Sequence, residues 1–108
     1  MANRYKVAKV DLVNTNVTTL YTAPAATVTV IKSILVSNDS SNQDTITVTV
    51  TNGSNVFSLF KLYAVDALAT EELLKQPLII DESEIIKVTA ATANRLHVVM
   101  SFLEISRD

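Results

Sequence analysis

The chain has 108 residues and a formal net charge of −2 at pH 7; 48% of its residues are hydrophobic, but only 6% are aromatic. A chain of this length folds as one domain, 1–108, because two halves would each be too small to bury a stable core. The absence of cysteine excludes a disulfide framework and Cys-based metal or redox chemistry. The nine basic residues are scattered, so no basic stripe is available for a nucleic acid.

Neither a leader nor a membrane partner is predicted. The charges of Arg4, Lys6 and Lys9 interrupt the apolar core that a signal peptide requires. No apolar run approaches the roughly 20 residues of a membrane-spanning helix. We therefore expect a protein that is made and assembled in a cytoplasm.

Period-two hydrophobicity begins at the N-terminus. In residues 4–13 the apolar side chains change face, with Tyr5 and Val7 on one side and Val10 and Leu12 on the other, which predicts a bulge or a change of surface near Ala8. We expect 1–13 to form either an N-terminal arm or an edge strand. A second strand over 17–23 ends at Pro24, which cannot donate to a β-ladder.

A long β-branched run over 26–37 is apolar on both faces, which predicts a strand in the interior of the fold. Strict alternation places Ile31 and Leu35 on one face and the remaining apolar residues on the other: Val28, Val30, Ile34 and Val36. The polar segment 38–43 is a loop. Residues 44–51 then alternate between Thr and Ile or Val, and Asn52-Gly53 predicts a hairpin into a strand over 56–64, with Phe57, Leu59 and Tyr63 opposite Phe60 and Leu62.

The segment Asp66–Lys75 is the one stretch of helix-forming composition, and we expect either a helix of at most two turns or a covering loop. Three further strands follow, over 77–80, 85–90 and 95–105, separated by turns at 81–84 and 91–94. Seven to eight short strands predict an all-β, antiparallel β-sandwich with at most one short helix. A jelly roll is the nearest arrangement, although the strand order is not fixed by the sequence.

No constellation of catalytic residues is present, so we expect a protein that is not an enzyme. His97 is the single histidine, and without a second histidine or a cysteine it is interpreted as an ordinary strand position. The acidic turn of Asp81, Glu82 and Glu84 is the best candidate for a cation site, but its spacing fits no calcium loop, and a solvated turn explains it more simply. We expect no catalytic, cofactor or metal site and no cofactor.

Several segments together carry a resemblance to a known class of protein. They are Thr19-Leu-Tyr-Thr-Ala-Pro24, the strand ending in Val36-Ser-Asn38, the alternating Thr/Val strand, Ile85-Ile-Lys-Val-Thr-Ala-Ala, and Leu96-His-Val-Val-Met-Ser-Phe-Leu-Glu-Ile105. From about residue 17 onward the chain resembles small β-sandwich virion proteins of tailed bacteriophages, which are capsid decoration (cement) proteins or head–tail accessory proteins. It departs from them at 81–84, where a Gly-Asp turn is expected.

The resemblance implies a structural virion protein that binds a capsid lattice by surface complementarity. Its expected partners are further copies of itself, with a trimer favoured, and the major capsid protein or another virion protein. Its expected location is the virion, assembled in the host cytoplasm. The alternative is a carbohydrate-binding or adhesive sandwich module, for example of a tail fibre, which would require Tyr5, Tyr21 and Tyr63 to converge on one exposed surface.

The residues support self-association independently of the resemblance. A two-sheet sandwich has one interior, so a strand that is apolar on both faces needs a second cover. Strands 26–37 and 95–105 both have this character, the latter with Val99, Leu103 and Ile105 opposite Val98, Met100 and Phe102. We therefore expect a homo-oligomer that covers the outer set.

The strand assignments make a direct spectroscopic prediction. Far-ultraviolet circular dichroism should show a β-dominated spectrum with little helix, because the period of two persists almost everywhere outside 66–75. A helix content above roughly one third, the average for globular proteins, would contradict the assignment.

Overall fold

The computed structural model describes residues 2–107, and within this range the regular structure consists of nine β-strands. They are β1 (Ala2–Asp11), β2 (Thr18–Thr22), β3 (Thr27–Asn38), β4 (Asp44–Thr51), β5 (Val56–Val65), β6 (Thr70–Glu72), β7 (Leu78–Ile80), β8 (Ile85–Ala90) and β9 (Leu96–Ser106). No helix of the described range is long and apolar enough to cross a membrane.

The strands form two antiparallel sheets that pack as a sandwich. The five-stranded sheet has the order β1-β9-β3-β6, with β7 also paired to β3, and the four-stranded sheet has the order β2-β8-β4-β5. The pairing is nested: β1 lies beside β9, β2 beside β8, β3 beside β6 and β7, and β4 beside β5. This nested pairing, divided between two packed sheets, is the strand arrangement of a jelly roll. The predicted all-β antiparallel sandwich is confirmed.

The core lies between the sheets and consists almost entirely of aliphatic side chains. In β9 the inward positions are buried without interruption from Leu96 to Glu104, and in β4 the inward Ile46, Val48 and Val50 are buried while the intervening threonines are half-exposed. Phe102 is the one aromatic residue of the buried cluster, as the composition predicts. Removing this apolar surface from water, at about 25 cal/mol per Å², is the main stabilising contribution.

A bulge in β3 overturns the predicted faces of that strand. The pairing with β9 shifts register between Ile31 and Ser33, so Lys32 is an extra residue. The inward-facing residues are odd-numbered before the bulge and even-numbered after it, so Ile31, Ile34 and Val36 are all fully buried. The outward set is therefore Val28, Val30 and Leu35, and the prediction that placed Ile31 with Leu35 was wrong.

The predicted irregularity near Ala8 was also wrong. β1 pairs with β9 without a register shift from Ala2 to Asp11, at the edge of the five-stranded sheet. Its odd-numbered residues face outward and its even-numbered Ala8 and Val10 pack against the core. Simple alternation accounts for the pattern, because Tyr5 and Val7 are odd and Val10 and Leu12 are even.

The segment Asp66–Lys75 contains no helix. It forms a turn, the short strand β6, and a loop whose Leu73 is buried in the core and donates its amide to the carbonyl of Ile34. Of the two alternatives, the covering segment is correct. The prediction of seven to eight strands falls short of the nine described because β6, three residues long, has no periodicity of its own.

The hairpin between β4 and β5 is confirmed. Thr51 pairs with Val56 across a four-residue loop in which Gly53 has φ = +98°. The Asn52 side-chain oxygen accepts the amides of Ser54 and Asn55, and the Thr51 hydroxyl accepts the amide of Gly53. Side-chain oxygens thus satisfy the turn while glycine supplies the positive φ.

We predict that Gly53→Val lowers the free energy of unfolding by about 1 kcal/mol or more, because a β-branched residue resists positive φ. A Cβ at this position would meet no other part of the chain within 4 Å, so the cost comes from the local backbone conformation alone. Gly53→Asn, which tolerates the left-handed region better, should cost less. Urea denaturation of both variants measures the difference; equal stabilities of Gly53→Val and the unchanged protein would contradict the prediction.

Candidate functional site: the outer face of the five-stranded sheet

The outer surface of the five-stranded sheet carries an apolar band that runs across its strands. Directly paired residues of neighbouring strands lie on the same face. The register places Tyr5 beside Leu103, Leu103 beside Val30, and Val30 beside Ile79, so one row crosses four strands. We call the outward apolar residues of this sheet the outer apolar face: Tyr5, Val7, Val28, Val30, Leu35, Ile79, Val99, Leu103 and Ile105.

This face is open to solvent at its margins and half-buried at its centre. Tyr5 is 80% exposed, Ile79 63% and Val7 55%, whereas Leu103, Val30 and Val99 are partly covered by their neighbours in the sheet. Scattered apolar side chains on a surface are ordinary, but a contiguous set over four strands is typical of an interaction site. The face therefore confirms that β3 and β9 are apolar on both sides.

Charged residues lie within and beside the face. One row below the Tyr5 row is centred on Ser101, and the next runs from Lys9 through Val99 and Leu35 to Glu72. Lys9, Lys32 and Glu72 form no ion pair with another residue of the range 2–107. Glu72 is held in place because its carboxylate accepts the hydroxyl of Ser33 and the amides of Ile34 and Leu74.

The end of this surface beyond the Lys9 row is polar and contains His97. The imidazole Nε2 lies 3.2 Å from Asp11 Oδ1, and Nδ1 lies 3.9 Å from Asp39 Oδ2. The ring is 38% exposed. His97 thus occupies a strand position on the rim, between two carboxylates, and within the described range no group of three metal-ligating side chains forms around it.

The most unusual polar cluster lies at one open end of the sandwich. Lys6 Nζ lies 2.9 Å from Glu104 Oε1, and the Tyr21 hydroxyl donates to Glu104 Oε2 at 2.6 Å. The Thr29 hydroxyl lies 2.8 Å from the same Tyr21 oxygen. The cluster joins β1, β9 and β3 of one sheet to β2 of the other, and a cavity of about 380 Å³ opens beside it.

The pKa values of this cluster describe a structural ion pair. Burial raises the pKa of Glu104, but hydrogen bonds from Tyr21 and Lys6 and the charges of Lys6 and Arg4 outweigh it, and the net pKa is lower than usual. Burial and the Glu104 hydrogen bond raise the pKa of Tyr21. Near neutral pH the Glu104 carboxylate therefore accepts hydrogen bonds from the neutral Tyr21 phenol and the Lys6 ammonium, an arrangement that holds the two sheets together and does not suit proton transfer. We call Lys6, Tyr21, Thr29 and Glu104 the Glu104 clamp.

The acidic turn directs its three carboxylates to different places. Glu84 accepts the amide of Asp81 at 2.6 Å, which closes the turn. Glu82 accepts the amide of Ala26 at 2.5 Å and pairs with Arg107 at 3.2 Å; these contacts lower the pKa of Glu82. Asp81, Glu82 and Glu84 are not among any described group of three side chains that could hold a metal ion. The interpretation as a solvated turn fits this geometry.

The three tyrosines lie on different surfaces. Tyr5 belongs to the outer apolar face, Tyr21 is tucked against Phe102 with ring centroids 4.4 Å apart, and Tyr63 lies on β5 at the edge of the other sheet. Tyr63 packs edge-on against Phe60 at 5.8 Å. The convergence that a carbohydrate-binding module would require is therefore absent from the described residues.

Sequence reasoning identified only part of these sites. It named Val99, Leu103 and Ile105 but missed Tyr5, Val7 and Ile79, because their membership depends on cross-strand register. It also missed the Glu104 clamp, although a signal exists: Glu104 is in phase with the buried positions 96, 98, 100 and 102 of β9.

Comparisons with known proteins relate the chain by fold only. No protein-family profile matches it, and no curated protein sequence matches it. Among solved structures it is similar to a chain of the disulfide-linked pili formed by Bacillus endospore appendages, with a TM-score of 0.61, 5% identity, and coverage of 99% of this chain and 88% of that chain.

It is also similar to two structures of a pentameric capsid protein from metagenomic phage sequences. Their TM-scores are 0.53 and 0.50, both at 16% identity, and they cover 94% and 91% of this chain. The chain spans less than two thirds of those capsid chains, 61% and 63%. At these identities the comparisons show a shared β-sandwich fold, found in capsid and pilus proteins.

The Glu104 clamp predicts an acid-sensitive contribution to stability. A carboxyl group whose pKa is lowered by folding stabilises the protein above its unfolded pKa, and this contribution is lost as the pH falls through the folded pKa. Glu104→Gln should lower the free energy of unfolding by about 1–3 kcal/mol at pH 7, and the difference from the unchanged protein should shrink toward pH 3. Urea denaturation of both proteins between pH 7 and pH 3 measures this difference in the free energy of unfolding. Glu71→Gln is the control, since Glu71 has no described ion pair. A difference that stays constant with pH would contradict the clamp.

Proposed function

We propose that this chain is a non-enzymatic structural protein of a phage particle, a capsid decoration or cement protein that binds copies of itself and the capsid lattice. It acts by surface complementarity, and no bond is made or broken. The proposed location is the virion, after assembly in the host cytoplasm, and the proposed second partner is the major capsid protein. The family resemblance favours three copies per assembly; the residues of the chain do not fix that number.

The observation that carries the proposal is the outer apolar face. The row of Tyr5, Leu103, Val30 and Ile79 crosses four strands and has no cover within the described chain. An enclosed assembly would bury it, at about 25 cal/mol per Å² before the cost of association. On a repeating lattice, modest single contacts add up to strong attachment because neighbouring contacts hold each copy in place.

Two further observations support a structural role. The fold is shared with a pentameric phage capsid protein and with a pilus protein, and both of these are parts of larger assemblies. The pili are described as disulfide-linked, whereas this chain has no cysteine. Copies of this chain therefore cannot be joined by disulfides between its own residues, which gives the exposed apolar surface a central role in the proposal.

Light scattering coupled to gel filtration at micromolar concentration tests self-association. We expect a mass that is a multiple of 11.8 kDa for the unchanged protein. Ile79→Lys should weaken association roughly tenfold to a hundredfold, because burial of an isoleucine contributes about 1.5–3 kcal/mol. Val56→Lys is the matched control, since Val56 is 66% exposed against 63% for Ile79 and lies on an edge strand of the other sheet.

The outcomes separate cleanly if thermal unfolding shows that both variants are folded. A monomer of 11.8 kDa for the unchanged protein would remove the homo-oligomer. Dissociation by Val56→Lys but not by Ile79→Lys would place the contact on the four-stranded sheet.

A further inference from the structure

We infer that two copies of the chain pack their outer apolar faces against each other about a two-fold axis that runs parallel to the strands and passes between β9 and β3. The inference rests on the proposed function and specifies the contact through which self-association occurs. A two-fold contact of this kind closes at two copies, so it predicts an even number of chains in place of the trimer that the resemblance favours.

The geometry follows from the register of the sheet. β9 and β3 are the central strands, β1 lies outside β9, and β6 and β7 lie outside β3. Rotation by 180° about an axis parallel to the strands keeps each cross-strand row at the same position along the strands and exchanges the two edges of the sheet. β1 of one copy then faces β6 and β7 of the second copy, and β9 faces β3.

This operation brings residues of like polarity together in the apolar rows. Tyr5 faces Ile79 of the second copy, and Leu103 faces Val30 of the second copy, because each pair shares one row. In the same way Val99 faces Leu35, which lies directly beside it in the sheet. Each of these contacts occurs twice, so the exposed margins of both faces are covered.

The charged row supplies complementarity. Lys9 and Glu72 occupy opposite ends of the row that contains Val99 and Leu35. The rotation places Lys9 of each copy opposite Glu72 of the other, and both are exposed and without an ion-pair partner among residues 2–107. Packed sheets cross at about 30°, which shifts the outermost positions by a few ångströms, a distance that a lysine side chain can span.

Lys32 is compatible with the same arrangement. It is exposed and lines a pocket with Val7 and Ser101, and as the extra residue of the bulge it has no paired residue in β9, where Ser101 pairs with Ser33. β6 pairs with residues 35–37 and β7 with residues 29–31, so no strand pairs with β3 at Lys32, and the Glu72 carboxylate caps the adjacent edge at Ser33 and Ile34. The flexible lysine stem can carry the ammonium past this edge to water while its methylenes cover apolar surface.

The other two-fold axis in the plane of the face fits less well. An axis across the strands through the Ser101 row would exchange the Tyr5 row with the Lys9 row. Ile79 would then face Glu72, and Tyr5 would face Lys9, so each copy would oppose an apolar side chain to a charge. The axis along the strands avoids both mismatches.

The area is sufficient for a specific contact. β1, β9 and β3 have 10, 11 and 12 residues, and β6 and β7 have 3 each. With strands about 4.8 Å apart and about 3.3 Å per residue, they give a flat footprint of roughly 600 Å². Side-chain relief adds to this, and a typical stable interface buries about 800 Å² per partner. A second copy is therefore an adequate cover for the whole face.

Site-specific cross-linking tests the axis, because the chain has no cysteine and each introduced thiol is unique. Tyr5→Cys and Ile79→Cys chains are mixed and treated with a bismaleimide that spans about 10 Å, the spacing of packed sheets. We expect a covalent dimer in the mixture and little from Tyr5→Cys alone, whose two Cα atoms would lie roughly 17 Å apart in the pair. Tyr5→Cys mixed with Val56→Cys is the control.

Each outcome decides between arrangements. A dimer from Tyr5→Cys alone that equals the yield of the mixture, or a higher yield from the Val56→Cys control, overturns the axis. An oligomer with an odd number of chains and no cross-link overturns this inference but leaves the proposed function standing. A monomer at every concentration removes this inference and the self-association in the proposed function. In a second measurement, Lys9→Glu should raise the dissociation constant of the dimer about tenfold. Lys61→Glu, on the other sheet, should leave that constant unchanged. Equal effects of the two variants would overturn the pairing of Lys9 with Glu72 of the second copy.

Discussion

The pairing of β3 with β9 is the constraint on which the rest of the structure depends. These two long strands form the centre of the five-stranded sheet, and each is hydrogen-bonded to a neighbouring strand along both of its edges. The side chains of each strand therefore project from the two faces of the sheet. One face must fill the core against the four-stranded sheet. The other face is apolar as well, and no further layer of residues 2–107 covers it, so it forms the surface to which we assign the proposed function.

Local patterns predicted most strands because their cause is local. The Thr and Ile or Val alternation of β4 follows from one buried and one wet face, and the positive φ of Gly53 follows from the turn. The bulge at Lys32 and the strand β6 could not be predicted in this way. Both exist only because β3 meets specific partners, β9 on one side and the returning segment 70–72 on the other. Periodicity within a single segment contains no information about such partners.

The candidate site shows the same division. That β9 needed a cover on both faces was evident from the sequence, because Val99 and Leu103 alternate with buried residues. That Tyr5 and Ile79 complete the same row was not, since they lie far apart in the chain and meet only through the registers of β1 and β7. The Glu104 clamp lies between these cases: a charge in phase with buried residues predicts a partner, but only the fold identifies it as Lys6 and Tyr21.

Fold similarity to capsid and pilus proteins does not by itself decide how this chain assembles, because one sandwich can serve many functions. The edges of its sheets argue against joining strand to strand. β1 carries Arg4, Lys6 and Lys9 along one edge, and β5 has two register shifts against β4 at another. Charged and bulged edges are the features by which β-proteins avoid edge-to-edge pairing. The outer apolar face also carries Lys9, Lys32 and Glu72, but its row from Tyr5 to Ile79 is uninterrupted by charge, so we place the proposed association on this face and not on an edge.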